Sequence, residues 1–126
     1  MLVCVEESEG EGLVLGVLAM SLDQACRQCI VQTIHVSPAM RGPLQLPKRM
    51  WQYALHAVTE AATAVRSKEV RFVLETACCQ SQQGAHFWIM RMGWDGSEDA
   101  MRAATAWGKG SKWNVGHYSM WYILRV

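Results

Sequence analysis

Apolar residues in the first third of the chain come in short blocks rather than in a helical stripe. Leu2 to Glu6 alternates weakly, Leu13 to Met20 is a continuous run rich in Val and Leu, and Ile30 to Val36 is β-branched. Blocks of this length and composition predict three strands. The polar segments between them, Glu6 to Gly12 and Asp23 to Gln28, read as turns, so the opening is an antiparallel meander. Ser37-Pro38 ends its third strand.

The period then changes. Trp51, Ala54, Leu55, Val58, Ala61, Ala62 and Val65 fall at spacings of three and four, which predicts a helix over Pro47 to Ser67. Pro47 suits its first turn, where a missing N–H costs nothing. Val70, Phe72 and Leu74 alternate with Arg71, Val73 and Glu75, a fourth strand. Gln80 to Gln83 reads as a polar loop, and Ala85 to Met92 as a short helix stopped by Gly93. Ser97 can cap a helix carrying Ala100, Met101, Ala104 and Trp107, with Gly108 just past its end. Gly108 to Gly116 is a loop, and Tyr118 to Val126 a final strand. The order β-β-β-α-β-α-α-β implies the α/β class: a mixed, mostly antiparallel central sheet flanked by helices.

Length and composition narrow the picture. The 126 residues make a single domain over 1–126, and 51% hydrophobic with 18% charged residues excludes a disordered chain. A net charge of +1 provides no global field for nucleic acid or anionic lipid, so neither is an expected partner. The longest apolar run, Leu13 to Leu22, is far short of the ~20 residues of a membrane span, and the first residues lack the pattern of a secretory signal. An odd count of five cysteines then points to free thiols in a reducing, cytoplasmic setting. Cys26 and Cys29 form a C-x-x-C without a second spaced pair. The adjacent Cys78 and Cys79 would point to opposite faces of an extended chain. No metal is expected.

The segment with candidate chemistry is Val36 to Pro47, where a strand hands over to a long helix. Such a loop aims backbone N–H groups at one spot with the positive end of the helix dipole behind them, an anion site suited to a pyrophosphate. A plain strand-to-helix connection would have the same outline. Here Val-Ser-Pro-Ala-Met-Arg-Gly is followed, a helix and a strand later, by Ser81, Ala85, Gly93 and Trp94 at fixed spacing, with Gln82 and Trp88 among them. This ordered pair of motifs resembles the GNAT superfamily of N-acetyltransferases over roughly residues 2–94.

The resemblance implies a GNAT-like acyl-CoA N-acyltransferase fold. It also implies acetyl-CoA as co-substrate and direct transfer of acetyl to an amine, on a small molecule or a peptide. Val36, Pro38, Arg41 and Gly42 match the entrance of the family's Arg-Gly-x-Gly-x-Gly cofactor loop, and Leu44 and Leu46 stand at its later glycine positions. The implied cofactor contacts are the backbone of Ile34 to Val36, then Arg41, Gly42, Leu44, Gln45 and Leu46, and Gln82 where the family usually has Asn. Ile89 occupies the position of the family's frequent acidic Tyr, so Tyr118 or Tyr122 is the candidate replacement. Glu75 and His35 are the candidate bases. The family begins with a strand and one or two helices that shape the acceptor groove, and this chain starts at the equivalent of the second strand. The acceptor wall must then come from the Ser97–Trp107 segment or a partner subunit. An exposed sheet face or edge is expected to favour a homodimer. Leu44, Leu46 and Ile89 leave a second reading open, a GNAT-like module that binds or assembles without catalysis.

Overall fold

In the computed structural model of the chain, residues 2–7, 14–36, 46–75, 86–111 and 119–126 are described. The expected meander is present as β1 (Leu2–Glu7), β2 (Val14–Leu22) and β3 (Gln28–Val36), paired antiparallel in sequence. Helix α1 (Leu46–Ala64) leads to β4 (Glu69–Glu75), then a π-helical turn α2 (Phe87–Arg91), a two-residue strand β5 (Asp95–Gly96), helix α3 (Glu98–Gly108) and β6 (Ser119–Arg125). The six strands form one sheet in the order β1-β2-β3-β4-β6-β5, in which only β3 and β4 run parallel.

Local chemistry explains most boundaries. Asp23 closes the β2–β3 turn by accepting hydrogen bonds from the N–H groups of Arg27 (2.7 Å) and Gln28 (3.1 Å). Helix α1 stops at Ala64 rather than at Ser67, because Arg66 takes φ 61° and Ser67 N–H returns to the Ala62 carbonyl, a Schellman-type cap. Val65 consequently drops out of the buried stripe and is half exposed. The Ser67 hydroxyl donates to the Cys26 carbonyl at 2.7 Å, tying this helix end to the β2–β3 turn. Ser97 caps α3 as expected, accepting from Ala100 N–H at 3.3 Å. The helix runs through Gly108, however, and the left-handed glycine past its end is Gly110 (φ 78°). Gly108 serves another purpose: a Cβ there would stand 3.0 Å from Cε1 of His86, whose Nδ1 bonds the Ala104 carbonyl.

The core lies on one face of the sheet. Leu18, Met20, Cys29, Val31, Val70, Phe72, Leu74 and Met120 are buried there with Met50, Trp51, Ala54, Val58 and Ala62 of α1. Trp51 is its hub. Its ring meets Phe72 (4.8 Å between centroids), Trp88 (5.7 Å), Trp94 (5.2 Å) and Tyr122 (5.5 Å), three of them edge-on. Ala100 and Ala104 of α3 join the same cluster, so every described helix brings side chains to this face.

Cys26 and Cys29 are buried free thiols. Burial, then the neighbouring Asp23 carboxylate and Cys26, push the Cys29 thiol from 9.0 up to about 12. The native state therefore holds the neutral thiol. This contribution to stability is full below the unfolded value and is lost as pH rises from 9.0 toward 12. Chemical unfolding across that range should show stability falling by up to ~1.4 kcal/mol per pH unit, a fall that Cys29→Ala flattens. An equal alkaline slope in the variant would show that another group titrates.

Candidate functional site

The site is framed by the one parallel pair in the sheet. Pairing of β3 with β4 runs from Gln28↔Arg71 to Val31↔Leu74 and ends there, although β3 continues to Val36. Described β4 has one residue left there, Glu75, and β3 is irregular against its other neighbour. Ala19 stands opposite Thr33 and Met20 opposite Val31, so Gln32 is an extra residue, a β-bulge. A bulge bends its strand and increases local twist. It also shifts the phase of the strand. Cys29 and Val31 face the core before it, whereas Ile34 is the half-buried position after it and Thr33 and His35 are exposed.

Register settles where the backbone of β3 points beyond the bulge. Arg71 N–H bonds the Arg27 carbonyl, so odd-numbered residues of β3 face β4 before the bulge. Carried across the extra residue, the alternation leaves the N–H and C=O of Ile34 and Val36 on the side away from β2. No described strand pairs with them there. The N–H groups of Ile34 and Val36, two residues that the sequence reading singled out, thus face the β4 side beyond the last β3–β4 pair. The chain enters α1 at Leu46 shortly afterwards.

Other candidate residues are distributed differently. His35 is exposed on β3 opposite Val17, on the sheet face away from the helices. Glu75 is the last residue of β4, in register with Ser119. Leu46 is the first residue of α1. Arg41, Gly42, Leu44, Gln45, Gln82 and Tyr118 lie outside the described residues, as do Cys78, Cys79 and the Gln80–Gln83 loop. Tyr122 is on the core face within the aromatic cluster, between Trp51 and Trp94.

Helix α2 is a π-helical turn rather than an α-helix: Met92 N–H bonds the Phe87 carbonyl, five residues back, and Gly93 follows at φ 74°. Trp88 and Ile89 are both turned inward and buried, and Ile89 packs on Gly96 of β5. Ile89, at the expected acid position, therefore cannot supply a proton. Among the described residues no group of three or more His, Cys, Asp or Glu side chains gathers as a metal cluster. No described helix is long and apolar enough to cross a membrane.

The fold has known counterparts. No protein-family model and no curated protein sequence matches this chain. Solved structures do. N-acetylglutamate synthase from Neisseria gonorrhoeae, complexed with coenzyme A and N-acetyl-glutamate, superposes on 94% of the chain with a TM-score of 0.58 at 12% identity. Ard1 from Thermoplasma volcanium covers 92% with 0.59 at 15%, and Rv2747 from Mycobacterium tuberculosis, in complex with CoA, covers 94% with 0.56 at 17%. The chain spans 25% of the first of these proteins, 67% of the second and 73% of the third. An acetyltransferase of GNAT family from Staphylococcus aureus is similar at a TM-score of 0.56. The likeness is one of fold, and the chain has the GNAT acyltransferase fold.

Proposed function

We propose that the chain binds acetyl-CoA and transfers its acetyl group to an amine. The observation that carries this reading is the gap between β3 and β4, with the N–H groups of Ile34 and Val36 facing it. A thioester carbonyl set in that gap would accept from one of those N–H groups, which is where negative charge develops as the amine attacks. The pyrophosphate would lie against the loop entering α1, held by Arg41, by the amides of Gly42, Leu44, Gln45 and Leu46, and by the helix dipole, with Gln82 on the pantetheine arm. In the transfer the amine nitrogen bonds the acetyl carbon and the C–S bond breaks. The amine proton passes to a base, and the thiolate takes a proton. His35 and Glu75 are the proposed bases and Tyr118 the proposed acid. A buried isoleucine, Ile89, at the usual acid position favours a second reading, a module that binds without turnover.

Titration with acetyl-CoA separates these outcomes. At ~100-fold excess over the dissociation constant, binding should stabilise the fold by about 2.7 kcal/mol, and Arg41→Glu should weaken affinity by at least ~10-fold through repulsion of phosphate. Binding without acetylation of any amine would select the module. No thermal shift at millimolar ligand would remove both readings.

We also propose a homodimer formed at a sheet edge. Strand β5 covers only Met120 and Trp121 of β6, and Ser97 N–H reaches the Ser119 carbonyl. By alternation, Ile123 and Arg125 direct their backbone groups outward beyond it, an edge that a second strand can pair. Sedimentation at tens of micromolar should give twice the monomer mass, and a monomer there would dismiss the dimer.

A further inference from the structure

The β2–β3 turn holds two thiols that acetyl transfer does not use. The turn and its surroundings, residues 20–30 and 62–72, are described without a break. Asp23 N–H donates to the Gln28 carbonyl at 3.1 Å, and Cys26 N–H to the Asp23 carbonyl at 3.0 Å. Cys26 takes φ 51°, a left-handed conformation that such a turn ordinarily gives to glycine or asparagine. The next two N–H groups, of Arg27 and Gln28, converge on one Asp23 carboxylate oxygen at 2.7 and 3.1 Å. Successive N–H groups of an extended strand point to opposite edges, so the chain is still curled between Cys26 and Cys29. The side chains divide accordingly. Arg27 and Gln28 are exposed, whereas Cys26 (5% exposed) and Cys29 (0%) both turn into the core cluster. The Ser67 hydroxyl pins the Cys26 carbonyl from the end of α1.

We propose that Cys26 and Cys29 are a redox site, a dithiol that a small-molecule disulfide such as oxidised glutathione converts into an intramolecular disulfide. The inference is independent of the acetyl-CoA reading. Two thiols turned inward from one curled segment can take a soft metal ion or join to each other. Ligation would set two thiolates in the core, where burial and the Asp23 carboxylate already hold Cys29 neutral. A disulfide is uncharged and carries no such cost. Cys26 is the first nucleophile, because it sits in the turn between exposed neighbours while Cys29 has no exposed surface. Local opening, by release of the Ser67 and Asp23 hydrogen bonds, presents it to the oxidant. As thiolate it attacks one sulfur of the disulfide RSSR and expels RS−, which takes up the proton that Cys26 gave to water. Cys29 then loses its proton and attacks the Cys26 sulfur. The bond of the mixed disulfide breaks, and the second RS− leaves and is protonated. The two cysteines are oxidised by two electrons in all, and RSSR is reduced to two RSH. A reduced pair that gains nothing from a stabilised thiolate holds its disulfide against glutathione.

The test incubates the folded chain with an equimolar mixture of reduced and oxidised glutathione, alkylates the remaining thiols and digests with trypsin without reduction. Trypsin cuts after Arg27, so residues 1–27, with Cys4 and Cys26, separate from residues 28–41, in which Cys29 is the one cysteine. In most molecules the two fragments should stay joined, lighter than their sum by two hydrogen atoms. The link should persist in Cys4→Ser and disappear in Cys26→Ser. In Cys29→Ala, Cys26 should instead stop at the mixed disulfide and carry one glutathione. The wild-type fragments decide the matter even if a variant fails to fold. Fragments that stay separate, or that join only after the chain is first unfolded in urea, would overturn the proposal. So would a link that survives in Cys26→Ser, which would assign it to Cys4.

Discussion

Deleting Gln32 should leave a folded protein that no longer responds to acetyl-CoA. The residue is the extra one in β3, and its removal restores unbroken alternation: Val31 inward, Thr33 outward, Ile34 inward, His35 outward. No described side chain has to change face. What changes is the bend. A straight β3 can extend its parallel ladder with β4 by one pair, Thr33 with Glu75, and the Ile34 N–H would then be consumed by the Glu75 carbonyl. Stability without ligand should be unchanged or slightly higher. The ~2.7 kcal/mol of stabilisation expected from acetyl-CoA at 100-fold excess should vanish. A variant that folds and still shows the full shift would mean that the gap is not where the cofactor binds. A bulge that served only to relieve local crowding would instead reveal itself as a loss of stability with affinity retained.

Trp51→Ala should be the most damaging single substitution in the core. The indole is 3% exposed and touches four aromatic rings contributed by β4, α2, the segment after it and β6. Removing it leaves a cavity at the point where helix and sheet are joined, at a cost of about 3–5 kcal/mol. For a domain of this size that is a fall of roughly 10–20 °C in Tm. Trp107→Ala is the matched control, because that ring is 41% exposed near the end of α3, and it should cost less than ~1 kcal/mol. Similar losses for the two variants would mean that the aromatic cluster does not organise the core. The same cluster contains a buried donor without an acceptor, Nε1 of Trp94. Its desolvation is a standing cost that the surrounding rings offset.

Legibility varied with the range of the interactions involved. The stripe from Trp51 to Ala62 was readable because a helix repeats its own pattern every few residues. The Ser97 cap and the Gly93 stop were readable because their partners lie within the same turn. The end of α1 was misplaced by three residues, since the αL residue is Arg66 and no glycine marks it. Strand β5 went unread because two residues carry no period. The bulge did leave a trace, the slip from Cys29 and Val31 to Ile34 in the apolar phase, yet a β-branched run looks strand-like with or without it.

By itself, then, the amino-acid order determined the five longer strands, the helices and the sequence in which they come, together with the motif at Val36 to Gly42 that resembles a cofactor loop. These follow from near-neighbour periodicity and capping, which need no knowledge of partners. Only the tertiary structure decided that β3 and β4 are parallel, that they part after Val31 and Leu74, and that Arg71 lies on Trp121 across two strands. It also put the described helices on a single face. Each of these depends on the register between strands distant in sequence. A one-residue change in that register reverses which groups meet.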